Sequence, residues 1–134
     1  MKIADFGCGV GTVTSLFAEM VGPRGRVMAL DLSPAQLDLA RARMAKAGHT
    51  NVDFLQADAT ASGLPSESFD FVYCRFFLLH LLQPLKGLAE MKRVLRPGGT
   101  IFVEDADLTT GYTIPPSAIE RFGDLCPRLD ASIS

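Results

Sequence analysis

The stretch Ala4-Asp5-Phe6-Gly7-Cys8-Gly9-Val10-Gly11-Thr12 decides the fold. A short apolar run, Ile3 to Phe6, reads as a buried strand, and Thr12 to Val21 reads as a helix ended by Gly22-Pro23. Between them stand three glycines in five residues, more than a tight turn alone requires. Glycine reaches positive φ without a steric penalty and lets the backbone approach a ligand closely. Such a turn faces the unpaired N–H groups of the helix start, which suits a nucleotide or an amino-acid carboxylate. Alone the pattern is weakly specific. The dinucleotide fingerprint GxGxxG ends on a glycine. Here Gly11 falls one position early and Thr12 occupies that place, which argues against a nicotinamide cofactor.

Outward from this turn, apolar strand-like runs alternate with helical patterns. Arg26 to Leu30 is predicted as a second strand. Ser33-Pro34 opens a helix, with serine as N-cap and proline in the first turn, and the helix runs to Ala47 and stops at Gly48. Val52 to Gln56 and Phe69 to Tyr73 are predicted as the third and fourth strands. A helix follows over about Pro84 to Leu95, stopped by Pro97-Gly98-Gly99, and Thr100 to Glu104 forms the fifth strand. Tyr112 to Pro116 reads as a loop, and Ser117 to Leu125 as the start of another helix. This alternation predicts an α/β fold, a doubly wound parallel sheet with helices on both faces.

Composition bounds the function. The 134 residues suit one domain, with 48% hydrophobic and 21% charged residues, a globular balance. Net charge is −2 and the isoelectric point near 5.6, which gives no field for nucleic acid or an anionic membrane. Mean hydropathy is +0.21. No apolar run approaches the roughly 18 residues of a membrane span, and no signal peptide is visible. Cys8, Cys74 and Cys126 are odd in number and widely spaced. They suit reduced cytoplasmic thiols better than a disulfide framework or a metal site.

Two further acids add to the glycine turn. Asp31 closes the second strand, beside the crevice where doubly wound sheets bind ligands. A carboxylate about 20 residues past the glycines can accept hydrogen bonds from ribose hydroxyls. The competing reading is a helix cap, but Ser33 already serves that role. Asp58, in Leu55-Gln56-Ala57-Asp58-Ala59, is expected to close the third strand. There it could accept from an adenine amino group, or be a loop aspartate; taken alone the two readings are even. Acids ending strands one, two and three are together far more specific than any one of them.

The segments DFGCGVGTVT, ALDLSPAQLDLARARM, VDFLQADA, LPSESFDFVYCRFFLLHL and MKRVLRPGGTIFVED together resemble the successive motifs of class I S-adenosylmethionine (SAM)-dependent methyltransferases, closest to those that modify small molecules. The resemblance covers roughly residues 2 to 105, leaving a partial tail over 106–134 of one domain. It implies a Rossmann-like sheet of order 3-2-1-4-5, SAM as cofactor and a small-molecule methyl acceptor. It also implies residue roles. Gly7, Gly9 and Gly11 would pass beneath the methionine and ribose of SAM, and Asp5 would hold the methionyl amino group. Asp31 would bind the ribose hydroxyls, Leu32 would flank the adenine, and Asp58 with Ala59 would read its edge. Cys74 and Arg75 would lie near the methionyl and methyl groups.

Departures from the family pattern matter as well. Arg75-Phe76-Phe77-Leu78 replaces the Asn-Pro-Pro-Tyr of enzymes that methylate amide or adenine nitrogens. Arg75 would pair with an acidic substrate group or with a structural carboxylate. His80 reads as a packed or surface histidine rather than a general base, and His49 as a surface residue. No catalytic triad is expected, since methyl transfer is mainly a matter of alignment and exclusion of water. The chain opens at strand one and shows no strands six and seven. The expectation is therefore a fragment truncated at both ends, or a reduced member that borrows surface from a partner, which self-associates through an exposed strand five or is poorly soluble. The alternatives are a SAM-binding module without catalysis, a nicotinamide-dependent dehydrogenase, or an aminopropyl transferase with a related site.

Overall fold

The computed structural model describes residues 1–75, 83–104 and 112–114. The expected alternation is present. Strands β1 (Lys2–Phe6), β2 (Arg26–Asp31), β3 (Val52–Gln56), β4 (Phe69–Arg75), β5 (Leu95–Glu104) and β6 (Tyr112–Ile114) form one sheet of order β3-β2-β1-β4-β5-β6. The first five are parallel. Helices α1 (Thr12–Val21), α2 (Pro34–Ala47) and α3 (Pro84–Val94) connect them.

Period-two alternation sorts the side chains between the two faces. Ala4 and Phe6 of β1 join Leu30, Val72, Ile101 and Val103 in the larger core, sealed by Leu88, Met91 and Val94 of α3. Ile3 turns to the other face, where Val27 and Tyr73 pack with Phe17 and Ala18 of α1. Fully burying a side chain such as Phe6 or Leu30 contributes about 1.5–3 kcal/mol. The same alternation sends Asp5 into the face that α1 covers.

The helix ends follow their local chemistry. The Ser33 hydroxyl accepts from the Gln36 N–H at 3.3 Å, and Gly48 closes α2 in the left-handed conformation. The chain winds outward from β1 in both directions, through β2 to β3 and through β4 to β5. The carboxyl ends of β1 and β4 therefore lie together at the switch point, with Phe6 opposite Cys74.

Three expectations need correction. Tyr112–Ile114 is a strand, not a loop. It pairs antiparallel with β5, Ile101 opposite Ile114 and Val103 opposite Tyr112. One aromatic residue, Tyr112, and two β-branched ones, Thr113 and Ile114, outweigh the prolines that follow them. The sheet thus has a sixth strand, and the apolar stretch of β5 is not an exposed edge, which removes the basis for self-association through it. Asp58 does not close β3. That strand ends at Gln56, and Asp58 lies in the turn beyond it, bridged to Ala61. Finally, β5 begins at Leu95, because Phe69 pairs with Leu95 and Phe71 with Thr100 across an irregularity that absorbs the Pro97-Gly98-Gly99 turn. The tail helix expected over Ser117 to Leu125, His80 and Cys126 lie outside the described residues.

Candidate functional site

The turn between β1 and α1 is built by backbone geometry. Gly9 has φ +57°, and a Cβ there would meet nothing within 4 Å, so its conformation rather than crowding calls for glycine. Gly11 has φ +85°, and a Cβ on it would lie 3.1 Å from both Ala40 Cβ and Met44 Cε. Gly11 therefore also lets α1 approach α2. Gly7 lines the cleft that the turn encloses, together with Asp5, Cys8, Val10, Thr12, Val13 and Tyr73, a space of about 330 Å³.

Asp31 ties this turn to its surroundings. Its Oδ2 accepts from the Gly9 N–H and its Oδ1 from the Ser33 N–H, both at 2.9 Å. The Cys8 N–H donates to the Leu30 carbonyl at 2.8 Å. The carboxylate thus clamps the glycine turn to the start of α2. A carboxylate oxygen has two lone pairs, so each still has capacity for a ligand hydroxyl. Capping and ligand binding are compatible roles here.

Asp5 is the group that sequence reading underrated. It is 2% exposed, and its Oδ2 accepts from the Thr14 hydroxyl at 2.6 Å. Burial pushes its pKa up to about 7, the Thr14 hydrogen bond opposes this, and the charge of Asp31 adds to the rise. No cation pairs with Asp5 among the described residues. The Cys8 thiol is pushed up to about 12 by burial and by Asp5 and Asp31, so it is no nucleophile.

The remaining residues are less gathered. Leu32 is 66% exposed at the end of β2, a free apolar surface beside Asp31. Asp58 is exposed, and its Oδ1 accepts from both the N–H and the hydroxyl of Thr60 at 2.8 Å, which holds its pKa below the usual carboxylate range. Ala59 is buried beside it. Cys74 packs its side chain in the core with Val72 and Val103, so only its backbone stands at the strand end. Arg75 closes β4 opposite Glu104. His49 is not fully at the surface, because its Nε2 lies 3.0 Å from the Ser15 hydroxyl.

Two residues were missed. Thr14 is a small polar side chain on the buried face of α1, beside Phe17 and Ala18, and that interruption was its only signal. Tyr73 stands opposite Asp5 in the sheet, donates to Glu104 Oε2 at 2.9 Å and packs edge-on to Phe17 at 5.0 Å. A second groove, about 590 Å³, lies between Val10 and the outer side of α2. It carries no carboxylate, so the smaller cleft with converging polar groups is the candidate site. Among the described residues no group of three or more His, Cys, Asp or Glu could hold a metal ion, and no helix is long and apolar enough to cross a membrane.

A family model described as a methyltransferase domain matches residues 4–103. The chain belongs to that family. It is 37% identical over 103 residues to a ubiquinone/menaquinone biosynthesis C-methyltransferase, UbiE, of Hahella chejuensis, a match covering 76% of this chain and 41% of that protein. It is 38% identical over 101 residues to a demethylmenaquinone methyltransferase of Lactococcus lactis, covering 75% of this chain and 40% of that one. A SAM-dependent methyltransferase of Aquifex aeolicus superposes with a TM-score of 0.75 at 30% identity, over 87% of this chain and 63% of the other. The methyltransferase reading, with its class I Rossmann-like sheet, therefore holds. The chain spans less than half the length of the two curated relatives.

Proposed function

We propose that this chain is the cofactor-binding core of an enzyme that transfers a methyl group from SAM to a small molecule, and that it works in the cytoplasm, where Cys8 and Cys74 stay reduced. The observation that carries the reading is a buried Asp5, without a cation among the described residues, opening onto a cleft beside a glycine turn held by Asp31. These residues fit the cofactor's groups. Asp5 provides an anionic partner for the methionyl ammonium. Gly7 and Gly9 supply backbone without side chains along the cleft, and Gly11 holds the turn against α2. Asp31 keeps lone pairs for the ribose hydroxyls. Leu32 offers apolar surface to the adenine, with Asp58 and Ala59 at its edge. Cys74 backbone and Arg75 stand at the strand end nearest the transferred group.

When bound, the cofactor supplies a methyl group on a sulfonium, whose departure as a neutral thioether needs no acid. The chain's part is to hold the donor and exclude water, which is alignment rather than side-chain chemistry. The names of the two curated relatives make a quinone-precursor carbon the first acceptor to try.

Calorimetry with S-adenosylhomocysteine and with NAD tests the reading. Binding of the first and not the second is expected. Asp31→Ala removes a charged acceptor, so affinity falls roughly tenfold or more. Equal affinity for that variant would remove Asp31 from the site, and binding of NAD alone would refute the reading.

A further inference from the structure

We propose that Thr14 is a positioning residue for cofactor capture: its hydroxyl fixes the Asp5 carboxylate so that one oxygen is spent inside the protein and the other faces the cleft to receive the ligand's ammonium. The inference rests on the cofactor reading above and deepens it.

Three observations meet at this pair. Thr14 is fully buried in the first turn of α1, where a hydroxyl has no water to bond. Among the described residues its hydroxyl donates to Asp5 Oδ2 at 2.6 Å, a short charge-assisted distance. Among the described residues no buried side-chain oxygen is left unsatisfied, yet Asp5 Oδ1 has no partner there. Oδ1 is therefore the oxygen that opens onto the cleft that Asp5 lines. Without Thr14 the carboxylate could turn about its terminal torsion, which is broad, and present either oxygen or neither.

The charge of Asp5 follows from the same contact. The titratable groups that face it are Asp31 at the end of β2, Cys8 in the turn and Tyr73 on β4. Of these only the Asp31 charge opposes its ionisation, and none is a cation. Among the described residues only the Thr14 hydroxyl favours the ionised form. Near neutral pH, Asp5 in the open cleft is therefore divided between its protonated and ionised forms, and an arriving ammonium selects the ionised one. Ligand binding then releases a proton.

The test uses two probes that share adenine, ribose and sulfur. S-adenosylhomocysteine carries the ammonium, and methylthioadenosine lacks the amino-acid part altogether. Calorimetry across neutral pH measures both against the native chain, Thr14→Val and Thr14→Ser. The expected result is a roughly tenfold loss of S-adenosylhomocysteine affinity in Thr14→Val, unchanged methylthioadenosine affinity, and recovery in Thr14→Ser. The pH at which S-adenosylhomocysteine binding strengthens should also move upward in Thr14→Val. Equal losses for both probes would mark Thr14 as merely structural and overturn the proposal, as would no loss for either. If Thr14→Val does not fold, Thr14→Ser and Asp5→Asn decide. A serine variant that loses affinity for both probes, or an asparagine variant that keeps the native pH dependence, overturns it. If the native chain binds neither probe, the cofactor reading fails first and takes this proposal with it. If it binds methylthioadenosine but not S-adenosylhomocysteine, the proposal alone fails.

Discussion

Two carboxylates are buried among the described residues, and their surroundings are opposite. Asp5 is 2% exposed and Glu90 8%. Glu90 lies on α3 and accepts from the Ser62 N–H at 2.8 Å, the Ser62 hydroxyl at 2.5 Å, Arg93 Nε at 2.7 Å and Arg93 Nη2 at 2.9 Å. Those donors, Arg93 first, hold its pKa down to about 2. Among the described residues Asp5 receives one hydroxyl and no cation, and its pKa rises to about 7. A buried charge is costly unless it is paired and hydrogen-bonded. At Glu90 the protein supplies the whole complement and closes the site. At Asp5 it withholds the cation, which leaves the place open for one carried by a ligand. A fully satisfied acid signals structure, and a half-satisfied acid beside a cleft signals binding.

The sharpest way to break the contrast is to remove each acid. Arg93 also donates to the Leu64 carbonyl at 2.6 Å and to Ser66 at 2.9 Å, so Glu90 holds the segment between β3 and β4 against α3. Breaking one side of a buried pair costs about 3–5 kcal/mol. Arg93 is 39% exposed, which brings the expected loss for Glu90→Ala down to about 2–3 kcal/mol. Urea unfolding measures it. A loss below about 0.5 kcal/mol, the usual size of a surface substitution, would show that this clamp is ornamental.

Asp5→Asn is the counterpart and should divide the two properties. S-adenosylhomocysteine affinity falls roughly tenfold or more, because a charge-assisted hydrogen bond is lost. Stability above neutral pH rises or stays level, because a buried unpaired charge is gone. Calorimetry and thermal unfolding on the same sample decide it. A variant that loses stability as Glu90→Ala does would erase the distinction between the two sites.

The pH dependence of stability carries both signatures with opposite signs. Glu90 has a depressed folded pKa, so its contribution is complete above the ordinary glutamate range and is lost as pH falls through about 2. Asp5 has a raised folded pKa. Its protonated form favours the fold below the ordinary aspartate range, and that contribution is lost as pH rises through about 7. From mildly alkaline solution downward, stability should first rise and then fall. Asp5→Asn should flatten the upper limb alone and Glu90→Gln the lower limb alone. Denaturant titrations at several pH values measure this, and an unchanged upper limb in Asp5→Asn would assign the neutral titration to another group.

The difference between the sites also explains what was legible in the chain. The glycine turn and Asp31 at the end of β2 are local patterns, readable from neighbouring elements, whereas the strand order followed from the resemblance of the whole motif series. Asp5 was readable as a position but not as a perturbed acid, since its state depends on Thr14 nine residues on and on Asp31 across the sheet. The Glu90 clamp left no signal, because Ser62 lies 28 residues away and a serine in a polar loop is unremarkable. Asp58 was placed two residues early, as strand ends are set by ladder pairing and β2 offers β3 no partner beyond Asp31. The short β6 escaped because three residues are too few to show a period, and its pairing with β5 is long-range.

The smallest expected effect tests how firmly the closed site dictates its own loop. Glu67 is the only non-glycine residue with positive φ among those described, at +53°. Its N–H donates to the Arg93 carbonyl at 2.9 Å and the Ser68 N–H to Val94 at 2.9 Å. The loop is thus anchored to α3 from both backbone and side chains, and Glu67 is held where an L-residue is strained by about 1–2 kcal/mol. Glu67→Gly removes that strain, but a glycine also loses more freedom on folding, about 0.5–1 kcal/mol. The net expectation is a gain of up to about 1 kcal/mol, read by urea unfolding. In the Glu90→Ala background the loop is released, the strain can relax without help, and the gain should vanish. A gain of the same size in both backgrounds would mean that the turn's own geometry, not the Glu90–Arg93 clamp, sets the path of this segment.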